Sequence, residues 1–172
     1  MKKITILHVA LIVLTMLVIT SVAYASPAAS QNFVAPLNGN EEVPARDTNA
    51  RGVAIFKLSE DGTELSYKLI VANIENVVFA HIHCAPVGVN GPVGVTLFHG
   101  DPIVGRFDGV LAEETITAPD PGNGCGWLTL DDVVAALNSG DTYVNVHTND
   151  GVAPPNTGPG DFPGGEIRGQ VR

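Results

Sequence analysis

Short runs in which apolar and polar residues alternate make up most of the chain after its first 30 residues. In the clearest run, residues 63–73, every second position from Leu65 to Val71 is a large apolar or aromatic residue. A period of two is typical of a β-strand that buries one face. The turn signal Glu60-Asp61-Gly62 separates this run from a similar one over residues 52–59, as in a hairpin.

The same pattern predicts eight short strands, separated by turn residues and by irregular loops rich in glycine and proline. The strands are predicted at residues 32–37, 52–59, 63–73, 77–84, 93–99, 107–113, 142–148 and 166–171. This organisation is typical of an antiparallel sandwich or barrel. We therefore predict an all-β fold, an antiparallel Greek-key β-sandwich of about eight strands with one short helix.

One segment departs from the period of two. Residues 130–137 carry apolar side chains at intervals of three and four, which is the pattern of an amphipathic helix. Thr129 is a suitable N-cap, and Gly140 is a suitable terminator. We predict a short helix here that packs across one end of the sandwich.

The N-terminal segment has the features of a signal peptide. Lys2 and Lys3 precede an apolar stretch, and Ala23-Tyr24-Ala25 fits the small-x-small pattern of a cleavage site. Residues 1–25 are therefore predicted to be a signal peptide and residues 26–172 a single domain. The apolar stretch is also long enough to be an uncleaved anchor. Both alternatives predict a secreted or extracytoplasmic protein.

The chain is acidic, and this limits its partners. Its formal charge of −9 becomes −11 without Lys2 and Lys3. Such a field repels nucleic acid and anionic lipid, so neither is an expected partner. An extracellular protein partner stays open, and the sequence does not give the oligomeric state.

Two cysteines, Cys84 and Cys125, lie in the predicted domain. In an oxidising compartment an even pair most often forms a disulfide, which is our prediction. Two free, partly buried thiols are one alternative. The other is Cys84 as a metal ligand beside His83, which is disfavoured because adjacent strand residues point to opposite faces.

Histidines on two predicted strands suggest a metal site. His81 and His83 are two residues apart, so on a strand they share one face at a spacing of roughly 6.5–7 Å. His147 stands in a similar setting on a later strand, and His99 is the remaining histidine of the predicted domain. A single histidine on a sheet surface is more often solvated or hydrogen-bonded than a ligand. The spacing nevertheless favours a site made of His81, His83 and His147, with His99 as a further candidate.

The last predicted strand adds charged groups to the same face. Glu166 and Arg168 alternate with the apolar Ile167, which places them on the side opposite the core. Arg168 is the candidate catalytic residue, as a guide for a small anion. The alternative is that Arg168 forms a structural salt bridge with Glu166 or Asp108. A carboxylate or an amide on this face could also orient an imidazole.

The donor type limits the choice of metal. Imidazoles suit copper, zinc, iron or nickel and disfavour calcium or magnesium. Copper ranks first by affinity, and three protein ligands leave one coordination position open. Copper is therefore the predicted cofactor, with another transition metal as the alternative.

Several motifs follow one another over nearly the whole predicted domain. They are Phe33-Val34-Ala35-Pro36-Leu37, Glu42-Val43-Pro44, residues 52–56, Ala80-His81-Ile82-His83, Asn90-Gly91-Pro92-Val93, Tyr143-Val144-Asn145-Val146-His147-Thr148 and Gly165-Glu166-Ile167-Arg168-Gly169-Gln170-Val171. In this order they resemble the CHRD (chordin-type) domain. The resemblance implies an extracellular β-sandwich of the kind found in animal chordins and in exported microbial proteins.

The His-x-His strand is also similar to the copper strand of copper/zinc superoxide dismutases. This resemblance implies that His81, His83 and His147 bind copper and that Arg168 attracts superoxide. The chain has no evident bridging histidine with an aspartate-containing zinc loop, so a second, zinc site is not implied. At the level of the fold the comparison is an analogy.

Three hypotheses about function remain at this point. The first is an exported copper-dependent enzyme with superoxide dismutase-like activity and a small anion such as superoxide as its substrate. The second is a non-enzymatic copper-binding protein. The third is an extracellular interaction module without metal.

Overall fold

The structure, a computed structural model, describes residues 31–172. Its elements in chain order are β1 (Asn32–Asn38), a 3₁₀ turn (Gly39–Glu41), β2 (Arg51–Leu58), β3 (Leu65–Cys84), β4 (Val93–Ile116), α1 (Leu130–Ser139), β5 (Thr142–Thr148) and β6 (Ile167–Gln170). The predicted signal peptide or anchor, residues 1–25, lies outside the described residues. Within residues 31–172, no helix is long and apolar enough to cross a membrane.

Five of the strands close into a barrel. The order along the sheet is β2-β1-β6-β5-β3, and a further pairing between β2 and β3 completes the ring. β4 pairs with β3 outside this ring, and all pairings are antiparallel. The prediction of a mostly β, antiparallel fold with one short helix is confirmed. The predicted Greek-key sandwich of eight strands is replaced by this barrel with its extra strand.

The strand count falls from eight to six because two long strands continue through local irregularities. The predicted strands 63–73 and 77–84 are both part of β3, and 93–99 and 107–113 are both part of β4. Within β3, Asn73 and Asn76 adopt φ angles of 55° and 52°, which asparagine tolerates better than most residues. The register with β4 shifts across each of them, between Val71 and Ile74 and between Glu75 and Val77. β3 and β4 therefore stay paired on both sides of the stretch in which the alternation of the sequence is interrupted.

The irregularity also gives β3 two different neighbours on one edge. Its first half pairs with β2, and its second half, from Val77 onward, pairs with β5. The second half carries His81 and His83, and β5 carries His147. The change of pairing partner along β3 is therefore what brings the two histidine strands together.

The barrel interior is filled by alternate residues of the strands. The predicted inward set of β3 is confirmed, with each member at most 4% exposed: Leu65, Tyr67, Leu69 and Val71. In the second half, Ala80 and Ile82 are fully buried. Continued alternation from Ala80 and Ile82 would place Val78 in the core, but Val77 faces it instead, because the register with β5 shifts between Val77 and Phe79.

The predicted helix is confirmed as α1. Thr129 forms a capping box with Asp132, and Gly140 ends the helix with a φ of 77°, a conformation that glycine adopts without strain. The buried side of the helix presents Leu130, Val133 and Leu137 to the core.

Cys84 and Cys125 form the predicted disulfide, so the alternatives of free thiols and of Cys84 as a metal ligand are wrong. The bond joins the end of β3 to the loop that precedes α1. The same loop packs Trp127 against β4, where a side chain at Gly94 would collide with the indole ring. The disulfide therefore fixes a loop directly beside the histidine strand.

Candidate metal centre

The histidines of β3 and β5 lie on the outer face of the barrel wall. His81 and His83 alternate with the fully buried Ala80 and Ile82, so their side chains project away from the core. β5 runs antiparallel beside this segment and carries His147 to the same surface. The strand alternation seen in the sequence thus places all three imidazoles on one side.

Loops cover part of this outer face. His83 is only 7% exposed, although it points away from the core. Its ring stacks on that of Tyr143, with centroids 4.7 Å apart and planes inclined by 7°. The Tyr143 hydroxyl in turn accepts a hydrogen bond from the backbone N–H of Gly91, at 3.1 Å. The loop that follows β3 is therefore tied down over the His83 ring.

The three imidazoles converge on a common space. His81 Nδ1 lies 3.2 Å from His147 Nε2. One ring nitrogen from each of His81, His83 and His147 lies within 4.8 Å of the others. Two nitrogens that each bind one ion at about 2 Å are roughly 3–4 Å apart. Small ring movements are therefore enough for these three histidines to hold a metal ion.

Backbone carbonyls fix the protonation of two of the rings. His83 Nδ1 lies 2.9 Å from the Gly91 oxygen, and His147 Nδ1 lies 2.9 Å from the Pro163 oxygen. A carbonyl only accepts hydrogen bonds, so each Nδ1 carries the proton and each Nε2 carries an unprotonated lone pair. In the described part of the chain, the buried His83 Nε2 has no hydrogen-bond partner. An orphaned, buried lone pair beside two other imidazoles fits a metal ion.

The electrostatics of the cluster keep the rings uncharged. Burial is the main cause, and the neighbouring His147 and His83 are smaller ones, of a pKa of His81 that is lowered to about 4. Burial also lowers the pKa values of His83 and His147, against the opposing effect of the hydrogen bonds to Gly91 and Pro163. Neutral imidazole is the form that binds metal. The three rings are therefore ready to bind at neutral pH without losing protons.

The fourth predicted ligand, His99, lies apart from this cluster. Its ring stacks on Phe79 with centroids 5.4 Å apart, and Phe79 stacks on His81 at 5.8 Å. Phe79 thus lies between His99 and the three-histidine group, which does not include His99. A role for His99 as a ligand stays a prediction that would need a change in this stacking.

Arg168 is close to the cluster but faces away from solvent. It is 1% exposed, and its guanidinium carbon lies 3.4 Å from the centroid of the Tyr143 ring. Its N–H groups donate to the Val89 oxygen at 2.9 Å and to Asn90 Oδ1 at 3.2 Å. The Tyr143 ring, which also stacks on His83, therefore separates Arg168 from the imidazoles. Guidance of an anion by Arg168 stays a prediction.

The alternative salt bridges of Arg168 are not formed among the described residues. Asp108 pairs with Arg106. Glu166 is fully buried and accepts hydrogen bonds from the Thr48 and Thr148 hydroxyls, at 2.6 and 2.7 Å. Glu166 therefore anchors neighbouring loops, and the expectation that its carboxylate orients an imidazole is wrong.

Comparison with known families gives one match. A family model described as the CHRD domain matches residues 33–171. The chain belongs to the CHRD family. No curated protein and no solved structure matches it. CHRD domains occur in extracellular proteins, and the disulfide is compatible with an oxidising compartment.

Beside the imidazoles of this CHRD domain lies a buried polar cluster that the sequence did not predict. Asn145, opposite His81 on β5, is 3% exposed and contacts the carboxyl group of Glu42. Glu42 is 6% exposed, and its Oε1 has no hydrogen-bond partner among the described residues. A side chain at Gly165 would collide with this same oxygen. Glu42 stands in a polar stretch between β1 and β2, so nothing in the local pattern indicated its burial.

The stability of the CHRD domain should depend on pH through Glu42. Burial raises the pKa of Glu42 to about 7, although Arg168 and Arg46 act to lower it. A raised pKa means that the folded state holds a proton that the unfolded chain releases above about pH 4.5. The contribution of Glu42 to the unfolding free energy is therefore complete at low pH, and it is lost as the pH rises through about 7.

We expect Glu42→Gln, which cannot ionise, to gain stability relative to the original chain as the pH rises. Between about pH 5 and pH 8 the difference in unfolding free energy should change by on the order of 2 kcal/mol, since water entering the site reduces the full effect. Urea denaturation at both pH values measures it. Parallel pH profiles for the two proteins would contradict the burial of an ionisable Glu42.

Proposed function

We propose that this protein is an exported CHRD-domain protein that binds a transition metal, with copper as the first choice, through His81, His83 and His147. The observation that carries the proposal is the buried, unpartnered Nε2 of His83, which lies in a group of three imidazoles able to share an ion. The predicted leader over residues 1–25 and the disulfide support export.

The donor set supports copper over harder ions. All three candidate ligands are neutral imidazoles, and no carboxylate belongs to the group among the described residues. Such a set disfavours calcium and magnesium, and the general affinity order of divalent ions places copper first. Backbone carbonyls at Gly91 and Pro163 hold two of the rings in the orientation needed for binding.

A second proposed activity is superoxide dismutation. It is favoured by a set of three protein ligands, which leaves a coordination position open to a small molecule. Bound copper would supply one-electron redox chemistry there. His81 is only half-buried, so the site is accessible from its side.

The contribution of Arg168 to that activity would be indirect. Its N–H groups are bonded to the loop over the site, so we propose that it attracts an anion through its electrostatic field rather than by direct contact. The formal charge of −9 opposes the approach of anions. The binding of copper is therefore the primary proposal, and dismutation is an additional one.

Metal analysis of the protein purified from the exported fraction tests both proposals. One tightly bound copper per chain, with dismutation well above that of free copper, would support an enzyme. The same copper without dismutation would support a binding or delivery protein. Protein that contains no transition metal and does not bind added copper would overturn both proposals. An extracellular interaction module would then be the remaining hypothesis.

A further inference from the structure

The third imidazole of the cluster has a different environment from the other two. His83 and His147 each donate from Nδ1 to a backbone carbonyl. His81 instead directs its Nδ1 at His147 Nε2, at 3.2 Å. For both of these nitrogens to bind one ion, His81 must carry its proton on Nε2. That proton needs an acceptor, because metal-bound histidines almost always donate from their other nitrogen.

The carboxylate of Asp120 lies beside His81. Thr96 on β4 is the direct pairing partner of His81 on β3, and directly opposite side chains share a face with Cβ atoms about 5 Å apart. The Thr96 hydroxyl donates to Asp120 Oδ2 at 2.7 Å. The carboxylate is therefore held at β4 on the same outer face as the His81 ring.

The electrostatics of the ring agree with this position. Burial dominates the pKa of His81, and Asp120 acts in the opposite direction by favouring the charged form. The negative charge of Asp120 is therefore within electrostatic reach of the imidazole.

The loop that carries Asp120 is fixed at several points. The Asp120 backbone N–H donates to the backbone oxygen of Gly94 at 3.0 Å. The backbone oxygen of Asp120 accepts from the Asn123 side-chain amide at 2.9 Å. Cys125, five positions further along, is bonded to Cys84 at the end of the histidine strand. A loop attached in this way holds Asp120 in a fixed position relative to the strand that carries His81.

We propose that Asp120 is the positioning residue for His81: it accepts a hydrogen bond from Nε2 and so leaves Nδ1 free for the metal. This inference rests on the proposed metal binding. In this arrangement every imidazole has its own fixed acceptor, two of them backbone carbonyls and the third a side chain. Asp120 does not touch the metal and is not a catalytic residue.

The affinity for copper tests this role. Asp120→Asn keeps the shape of the side chain, but its amide can donate to His81 Nε2 and so favour the tautomer with the proton on Nδ1. We expect a loss of about 10- to 100-fold in copper affinity, measured by competition with a chromophoric chelator. Asp120→Glu, which keeps the carboxylate, should retain part of the copper affinity that Asp120→Asn loses. Asp101→Asn, which removes an exposed carboxylate of β4, is the matched control and should bind copper like the original chain.

A second readout follows the tautomer directly. With zinc as a diamagnetic probe, nitrogen-15 NMR of the original protein should show His81 protonated at Nε2 and bound through Nδ1. A His81 bound through Nε2, or copper affinity unchanged in Asp120→Asn, would overturn the role of Asp120 while leaving the metal site intact. Failure of the original chain to bind any metal would instead overturn the proposed function, and with it this inference.

Discussion

Copper binding should weaken by more than 100-fold when His83 is replaced by phenylalanine. Four-ligand zinc sites in small peptides bind with about 10–16 kcal/mol, so one ligand corresponds to roughly 3 kcal/mol, or more than 100-fold in affinity. Phenylalanine keeps the volume of the ring and its stacking on Tyr143, but it has no nitrogen. The effect on binding is therefore separated from the effect on packing.

The protein itself supplies the control. His99→Phe makes the same chemical change in a ring that also stacks on an aromatic neighbour, Phe79, but outside the three-histidine group. Isothermal titration of both variants with copper, beside their thermal unfolding without metal, gives the comparison. Equal losses in the two variants would show that His99 is also a ligand. No loss in His83→Phe would place the metal elsewhere.

Removal of the disulfide should lower the unfolding free energy by about 4 kcal/mol, since the bond closes a long loop in the unfolded chain. Cys84 and Cys125 are 41 positions apart, and both are only partly buried, so their replacement by serine removes little packing. A typical domain is stable by about 5–15 kcal/mol, which makes this a large fraction of the total.

The double variant Cys84→Ser with Cys125→Ser, studied by urea denaturation, measures this loss. Backbone hydrogen bonds from Cys84 to Pro92 and from Gly124 to Val93 remain in the folded state. We therefore expect the variant to stay folded in the absence of urea. The original protein in reducing buffer should fall to the stability of the variant. If reduction changed neither the midpoint nor the slope of the transition, the bond would not constrain the unfolded chain.

The two effects act on different levels of the molecule. His83 supplies a lone pair to the proposed metal, whereas the disulfide fixes the ends of the segments that surround it. His83 and Cys84 are adjacent in β3 and point to opposite faces. A substitution at either position therefore leaves the other side chain in place, and the two effects can be measured separately.

Much of the local structure could be predicted from the sequence. The alternation in β3 predicted its inward residues, because a half-buried strand needs a period of two. The period of three and four between Thr129 and Gly140 predicted α1, since the helical period and the caps depend on neighbouring residues alone. The grouping of His81 with His83 also followed from local geometry. Each of these features depends on residues close together in the chain.

The hydrogen-bonding groups around the three histidines could not be predicted in the same way. The carbonyls of Gly91 and Pro163 are backbone groups, which have no signature in a sequence. Arg168 was assigned to the same face as the histidines, but its burial under the loop at Val89 depends on how that loop folds back. The carboxylate of Asp120 reaches β4 only through its bond to Thr96.

The sequence by itself determined where the alternating segments and the helix lie and which face the side chains take within each regular segment, and it predicted that the two cysteines pair. Only the tertiary structure decided that β3 and β4 continue through their irregularities, and that the sheet closes through β2 and β3. The reason is that alternation is a property of one strand, whereas closure and the meeting of His81 with His147 depend on pairing between distant segments. Those pairings are chosen by the packing of the whole barrel.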